Sequence, residues 1–149
     1  MLASETDKHW NKGYISGTFD MFHIGHLNLI RRTKERCDYL VVGVLSDDVV
    51  FLNKKKKPVI PINHRLEIVK AIRYVDEVDI TTEPLIDKAA AWQKYGFDVM
   101  FSGDDHNGTT WLKENEKSEF EKNGVDLIFF PYTKEITSTM LREKAQPPI

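Results

Sequence analysis

The sequence predicts an α/β protein with a Rossmann-like, open and mostly parallel five-stranded sheet flanked by helices. Strand candidates alternate with helical patterns along almost the whole chain. One strand candidate, at 39–45, is a nearly continuous apolar run, which is typical of a parallel strand covered on both faces. A glycine-containing turn also joins the first strand to the first helix, and ligands of such sheets bind where strands end.

The first half of the chain alternates strand and helix up to a charged loop. Ser46 precedes two aspartates and predicts the start of a short helix, because its hydroxyl can accept an N–H of the first turn. The predicted elements are a strand at 14–17, a helix from about 25 to 37, a strand at 39–45, a helix after Ser46, a loop at 54–58 and a helix introduced by Pro61 and Asn63.

The second half continues the same alternation, with glycines where helices are expected to stop. Gly96 and Gly124 are both suited to the left-handed residue that follows many helices. The predicted elements are strands at 75–80, 98–102 and 125–130 and helices at 85–95, 112–123 and 138–144. Residues 1–12 are interpreted as a flexible N-terminal extension, and residues 13–149 as one domain.

Composition limits the possible partners and the compartment. The net charge of −2 provides no overall attraction to nucleic acid or to an anionic membrane, and no stretch approaches the ~20 apolar residues of a membrane span. The single cysteine, Cys37, excludes an internal disulfide and a cysteine-rich zinc site. These features favour a cytoplasmic protein.

The residues that indicate chemistry lie where the first strand meets the first helix. Gly17-Thr18-Phe19-Asp20 is followed by His23-Ile24-Gly25-His26. A helix start offers backbone N–H groups and a partial positive charge, and Gly25 lets backbone approach a ligand closely. Two imidazoles three residues apart can donate hydrogen bonds into one pocket, so the segment predicts a phosphate site.

These residues resemble the signature of the small cytidylyltransferases, in particular the bacterial glycerol-3-phosphate cytidylyltransferases of the HxGH nucleotidyltransferase superfamily. The resemblance extends from about Tyr14 to Arg142 in family order. Its further segments are Asp38 to Val42, the lysine loop, His64-Arg65, Ile72 to Val78, Gly103-Asp104-Asp105 and Ile136-Thr137-Ser138-Thr139.

The resemblance implies an enzyme that condenses CTP with an alcohol phosphate similar to glycerol 3-phosphate and releases pyrophosphate. His23 and His26 would stabilise the α-phosphate and the departing pyrophosphate, without a covalent nucleophile. Thr18 and Phe19, with Gly25, would contact the nucleotide. Magnesium would arrive with the triphosphate, and a homodimer is expected from similar enzymes.

The lysine loop and one arginine complete the implied catalytic set. Lys54 matches the lysine that binds the phosphate substrate and Lys56 the one that binds the triphosphate, whereas Lys55 and Lys57 are expected to face solvent from an extended loop. Arg73 is implied to act at the active site and on the substrate. Arg65 is expected to pair with a neighbouring acid.

The remaining implied residues bind the substrates. Asp20 and Asp104 are candidates to orient histidines, substrate or metal-bound water, with Asp20 assigned to the substrate and Asp104 to the nucleotide. His106 belongs to the substrate side. The last signature would bind the β- and γ-phosphates through Thr133, Ile136, Thr137, Ser138 and Thr139.

Two departures from the resemblance leave alternatives open. Tyr132 stands where similar glycerol-3-phosphate enzymes have an arginine, and His106 replaces their tryptophan. Ser138 to Arg142 also resembles the ending of adenylyltransferases of the same superfamily, which use ATP to form FAD, NAD or dephospho-CoA. A non-catalytic nucleotide-binding domain is the alternative from another class.

Overall fold

The computed structural model describes residues 8–103, 112–130 and 138–145. In this part of the chain the strands form one all-parallel sheet, which confirms the predicted fold class. The strands are β1 (Trp10–Gly17), β2 (Cys37–Leu45), β3 (Glu77–Thr81), β4 (Val99–Gly103) and β5 (Asp126–Phe130). Their order across the sheet is β3-β2-β1-β4-β5.

Helices cover both faces of this sheet. They are α1 (Ile24–Glu35), α2 (Asp47–Lys54), α3 (Ile62–Lys70), α4 (Lys88–Tyr95), α5 (Glu114–Lys122) and α6 (Ser138–Ala145), with a 3₁₀ turn at Glu83–Ile86. One core joins the sheet to α1 and α3 through Ile30 and Val69. The other joins it to α4 and α5 through Ala91 and Phe120.

The helix boundaries follow local capping chemistry. Ser46 caps α2 as predicted, because its hydroxyl accepts a hydrogen bond from Val49 N at 3.2 Å. Gly96 ends α4 in the left-handed conformation, with φ of 66°. Asp87 caps α4 through its carboxylate, so this helix starts at Lys88 and the predicted 85–95 helix is wrong at its first turn.

The first strand starts earlier than predicted. Trp10 is buried, packs edge-on against Phe101 and donates its indole N–H to Asp126 at 2.8 Å. Residues 10–12 therefore belong to the sheet and not to a flexible extension, while residues 1–7 lie outside the described residues. The polar side chains of Asn11 and Lys12 hide the strand pattern in the sequence.

The lysine segment also differs from its prediction. Lys54 is the last residue of α2, and Lys55 is left-handed with φ of 61°, so the run does not begin as an extended loop. The extended backbone on which the alternating lysine directions were predicted is therefore absent at Lys54 and Lys55. Val49 and Val50 are buried at the start of α2, whereas residues 51–54 at its end are exposed.

The strand order places a crevice beside β1. The chain passes from β1 through α1 to β2 on one side, and from β4 through α5 to β5 on the other. Helical connections thus leave β1 and β4 in opposite directions, which opens the sheet edge where both strands end. Gly17 ends β1 at this edge, and the histidine segment follows it.

Candidate active site

The two predicted histidines lie together at the start of α1. His23 is the N-cap residue, and its Nδ1 accepts a hydrogen bond from Gly25 N at 3.0 Å. His26 Nδ1 in turn accepts from His23 N at 3.1 Å, which completes a capping box built from imidazoles. The rings stack with centroids 4.0 Å apart. The structure therefore brings His23 and His26 into one half-buried pair.

These two bonds fix where each ring carries its proton. A backbone N–H can only donate, so Nδ1 of His23 and Nδ1 of His26 must both be unprotonated acceptors. A neutral imidazole then has its proton on Nε2, at the far edge of the ring from the backbone. Both imidazoles at the start of α1 therefore present an Nε2–H donor.

Burial keeps the pair neutral. It lowers the pKa of His23, and it lowers the pKa of His26 to about 4 together with the nearby His23, against a smaller opposing effect of Asp20. At neutral pH the site therefore offers N–H donors without imidazolium charge. Phe19 and Phe22 pack beside the His26 ring, with centroids 5.6 and 5.2 Å away, and provide the apolar surroundings.

The turn before the histidines has an unusual backbone. Phe19 and Met21 have φ values of 54° and 48°, in the left-handed region that side-chain-bearing residues seldom adopt. Asp20, between them, is buried, and its two carboxylate oxygens accept Val59 N and Ile60 N at 2.8 Å each. Asp20 thus attaches the turn to the residues that follow the lysine segment, and the substrate contact predicted for it stays a prediction.

Arg65 is a second attachment point, and the expectation that it pairs with an acid is confirmed by its ion pair with Asp47. Its fully buried guanidinium does more than this. It also donates to the carbonyl oxygens of Thr18, Leu45 and Ile60 at 2.7, 2.8 and 2.8 Å. The backbone of Thr18, predicted to contact the nucleotide, is therefore fixed from behind by Arg65.

The predicted lysines stand apart from this buried network. Lys54 and Lys56 are exposed, as are Lys55 and Lys57. Lys54 ends α2, whose start is tied to Arg65 through Asp47. The lysines thus follow a helix that rises from the same edge of the sheet as the histidine turn.

Arg73 is not brought to the histidines. It lies before β3, whose first residue Glu77 pairs with Val41, several residues before the strand ends at the histidine edge. Its guanidinium is exposed, lies 5.1 Å from the Tyr74 ring and donates to the Tyr74 hydroxyl at 3.1 Å. Among the described residues Arg73 therefore lies away from His23 and His26, and its role at the active site stays a prediction.

Several predicted site residues lie outside the described residues. These are Asp104, His106, Thr133, Ile136 and Thr137. Ser138 and Thr139 begin α6, as the predicted 138–144 helix requires, and only their backbone belongs to the description. Their assignment to the nucleotide stays a prediction.

A cavity at the same sheet edge was not anticipated from the sequence. It has a volume of about 80 Å³ and opens on the face that carries α4. Its lining includes Tyr14, Ser16, Asn53, Thr81, Leu85 and Lys88. Hydroxyls and an amide thus meet at the ends of β1 and β3, one residue from Gly17 and one residue from Lys54.

Thr81 is the unusual member of this cavity. Its hydroxyl is buried and is the one such side-chain atom in the described ranges that makes no hydrogen bond of standard geometry. Burial raises the pKa of Tyr14, and the neighbouring hydroxyls of Thr81 and Ser16 oppose that shift. A Cβ at Gly43 would lie 2.5 Å from Thr81 Oγ1 and 2.9 Å from the Tyr14 hydroxyl, so the glycine keeps this space open. No periodicity marks such a cavity in the sequence.

The described residues contain neither a cluster of metal ligands nor a membrane-spanning helix. In the ranges 8–103, 112–130 and 138–145 no three His, Cys, Asp or Glu side chains are grouped as metal ligands. None of the helices within those ranges is long and apolar enough to cross a bilayer.

Comparisons with known proteins identify the family and agree with the fold. The cytidylyltransferase-like family model matches residues 14–144. The chain is 36% identical to glycerol-3-phosphate cytidylyltransferase from Bacillus subtilis strain 168, covering 86% of this chain and 92% of that one. It is 37% identical to FAD synthase from Thermococcus kodakarensis, covering 79% of this chain and 78% of that one.

A solved structure gives the same fold. The lipopolysaccharide core biosynthesis protein from Thermoplasma volcanium superposes with a TM-score of 0.66 at 25% identity, covering 85% of this chain and 99% of that one. The family match covers both the histidine pair and the elements that hold it. The chain therefore belongs to the cytidylyltransferase-like family and is an enzyme of the nucleotidyltransferase type.

Proposed function

We propose that the chain condenses CTP with a small alcohol phosphate to give a CDP-alcohol and pyrophosphate. The observation that carries this proposal is the pair of neutral imidazoles, His23 and His26, held with Nε2–H groups at the crevice beside β1. The similarity to a glycerol-3-phosphate cytidylyltransferase over most of both chains supports the choice of CTP and of a glycerol-phosphate-like substrate.

The reaction would be a direct displacement. A phosphate oxygen of the alcohol phosphate forms a bond to the α-phosphorus of CTP, and the bond from that phosphorus to the β-bridging oxygen breaks with its electrons. Negative charge grows on the α-phosphoryl oxygens and on the departing pyrophosphate. His23 and His26 would donate hydrogen bonds to these oxygens, and the ionised nucleophile needs no base.

The cysteine chemistry is consistent with this direct route. Cys37, the chain's one cysteine, is buried at the start of β2, and burial raises the pKa of its thiol to about 11. A thiol of that pKa carries almost no nucleophilic thiolate at neutral pH. Cys37 therefore has no part in the proposed transfer.

The cavity beneath α2 supports a small alcohol. Its volume of about 80 Å³ leaves room for a few small polar groups. Hydroxyls of Tyr14, Ser16 and Thr81 can meet hydroxyls of the alcohol, while Lys54, next to cavity-lining Asn53, could bind its phosphate. Lys56 would bind the triphosphate.

Magnesium would enter with the triphosphate. Asp20, the carboxylate beside the histidines, accepts a backbone N–H group at each oxygen, and no three His, Cys, Asp or Glu side chains of the described residues are grouped as metal ligands. We therefore assign the metal to the phosphates themselves, which bind it strongly. A homodimer and a cytoplasmic location complete the proposal.

The second candidate is ATP-dependent adenylyl transfer, favoured by the similarity to an FAD synthase. The experiment is a pyrophosphate-release assay that combines CTP, ATP, GTP or UTP with glycerol 3-phosphate, ethanolamine phosphate or FMN. We expect CTP with glycerol 3-phosphate to exceed ATP by ~10²-fold or more in kcat/KM, because a base pocket leaves polar groups unpaired with the wrong base. Turnover of ATP with FMN would establish the second candidate, and nucleotide binding without pyrophosphate release would indicate a non-catalytic domain.

A further inference from the structure

Arg65 holds both ends of the segment that carries the lysine run. Its guanidinium binds the Asp47 carboxylate at the start of α2 and the Ile60 carbonyl beyond the lysines. Residues 54–57 are thus the exposed middle of a segment whose two ends are attached to one buried group.

The same guanidinium reaches the histidine turn. Its Nη1 donates to the carbonyl of Thr18, and Asp20, two residues later, accepts the N–H groups of Val59 and Ile60. Ile60 is consequently held through its N–H by Asp20 and through its carbonyl by Arg65. These bonds form a closed ring that joins the turn to the lysine segment, and the ring is named here the Arg65 ring.

Stability alone is a weak reason for an arginine at this place. A buried cation loses its hydration, and well-packed apolar residues often stabilise a fold equally well. A planar guanidinium differs from apolar side chains because its N–H donors have a rigid geometry. It can therefore fix the directions of several hydrogen-bond partners at once. The partners here are the parts of the chain that carry His23 and Lys54.

We infer that Arg65 is a positioning residue that couples the lysine segment to the histidine turn, so that both groups meet the phosphates in one geometry. This inference rests on the proposed function. Arg65→Lys keeps the charge, but an ammonium cannot satisfy three carbonyls and a carboxylate with the same geometry. We expect kcat/KM to fall by about 10–100-fold, since small misplacements of reacting groups have effects of this size.

The coupling itself is measured with a double-mutant cycle. Lys54→Ala, His23→Asn and the double variant are compared by kcat/KM in the wild-type chain and again in an Arg65→Lys background. Groups that act as a unit give non-additive losses. We expect the double variant to deviate from the product of the single effects by at least about 5-fold in the wild type, and by less than about 2-fold with Arg65→Lys.

Val69→Ala is the matched control for loss of stability. Val69 lies one turn beyond Arg65 on α3, is fully buried in the core and takes no part in the Arg65 ring. This variant should lower the melting temperature but keep the coupling between Lys54 and His23. Loss of coupling in Val69→Ala to the same degree as in Arg65→Lys would overturn the inference.

Asp20→Asn opens the Arg65 ring from the other side and serves if Arg65→Lys does not fold. The amide replaces one acceptor oxygen, so one of the two backbone N–H groups loses its partner. Coupling that persists in these ring variants would overturn the inference for Arg65. If Lys54→Ala and His23→Asn instead leave turnover of the wild-type chain unchanged, the proposed function is wrong.

Discussion

The histidine turn and the lysine segment, both proposed to meet the phosphates, are built in opposite ways. The turn is set before any ligand arrives, because two backbone N–H groups orient the rings of His23 and His26. The lysines are exposed at the end of α2 and on the residues that follow it. Fixed donors suit charge that appears only in the transition state, whereas a long exposed side chain loses rotamer entropy when it binds. The turn is therefore suited to rate and the lysines to substrate capture.

The largest expected effect is at the histidine turn, whose donors are oriented before a ligand binds. His23→Ala and His26→Ala should each lower kcat by ~10²-fold or more, because each removes one oriented donor. His23→Asn is the matched variant, since asparagine can still cap α1 but has no imidazole N–H. Steady-state kinetics, with circular dichroism to verify folding, measures the effect. Near wild-type turnover in a folded variant would exclude the catalytic assignment.

Smaller effects are expected from substitutions of the exposed lysines. Lys54→Ala should raise KM for the alcohol phosphate and Lys56→Ala should raise KM for CTP, each by roughly 10-fold, the size of one charge-assisted hydrogen bond. Lys55→Ala should change little. Kinetics with each substrate varied in turn distinguishes these outcomes, and equal losses at all three positions would mean a diffuse electrostatic role.

The difference in pH dependence between wild type and a His26 variant sharpens the comparison, because it isolates the contribution of the half-buried His26 ring. His26 has a folded-state pKa of about 4, below its unfolded value of about 6.5. The lowered pKa therefore contributes fully to the free energy of unfolding above pH ~6.5. This contribution decreases as the pH falls towards 4, because His26 of the unfolded chain takes up a proton at a higher pH than His26 of the folded chain. Thermal melts between pH 7 and 4 should be steeper in pH for wild type than for His26→Gln. Identical slopes would contradict the shifted pKa.

The smallest expected effect is at Lys55. Its φ of 61° is a conformation in which glycine has no side-chain penalty. Lys55→Gly should leave kcat unchanged and raise the free energy of unfolding by roughly 0.5–1 kcal/mol. Urea denaturation of this variant beside Lys57→Gly, as the control from the same run, measures the difference. A gain of the same size in both variants would mean that the left-handed residue is not its source.

The sequence predicts the fold and the histidine pair well because both depend on local pattern. The apolar run that becomes β2, the cap at Ser46 and the glycine after α4 are each readable from neighbouring residues. The sequence also places His23 and His26 at a helix start, and their capping bonds are local. Local chemistry therefore accounts for the part of the site that was predicted.

The rest depends on contacts distant in sequence. The hydrogen bonds that Asp20 accepts come from residues 39 and 40 positions away, so the sequence does not reveal its structural role. Arg65 was expected to pair with one acid, but its carbonyl partners come from three other parts of the chain. The orphan hydroxyl of Thr81 becomes visible only when β2 and β3 pair beside Gly43. Tertiary packing determines these roles, so no spacing in the sequence reveals them.

The imidazole capping box has a consequence for how such a protein can evolve. At His23 the helix needs an acceptor, which serine, asparagine or aspartate provides equally well, and at His26 a glutamine can take the reciprocal bond. Single substitutions that remove the proposed imidazole donors would thus leave α1 its caps and the fold its stability. Selection for folding alone would not preserve these histidines, so a descendant could drift from enzyme to nucleotide sensor without passing through an unstable intermediate.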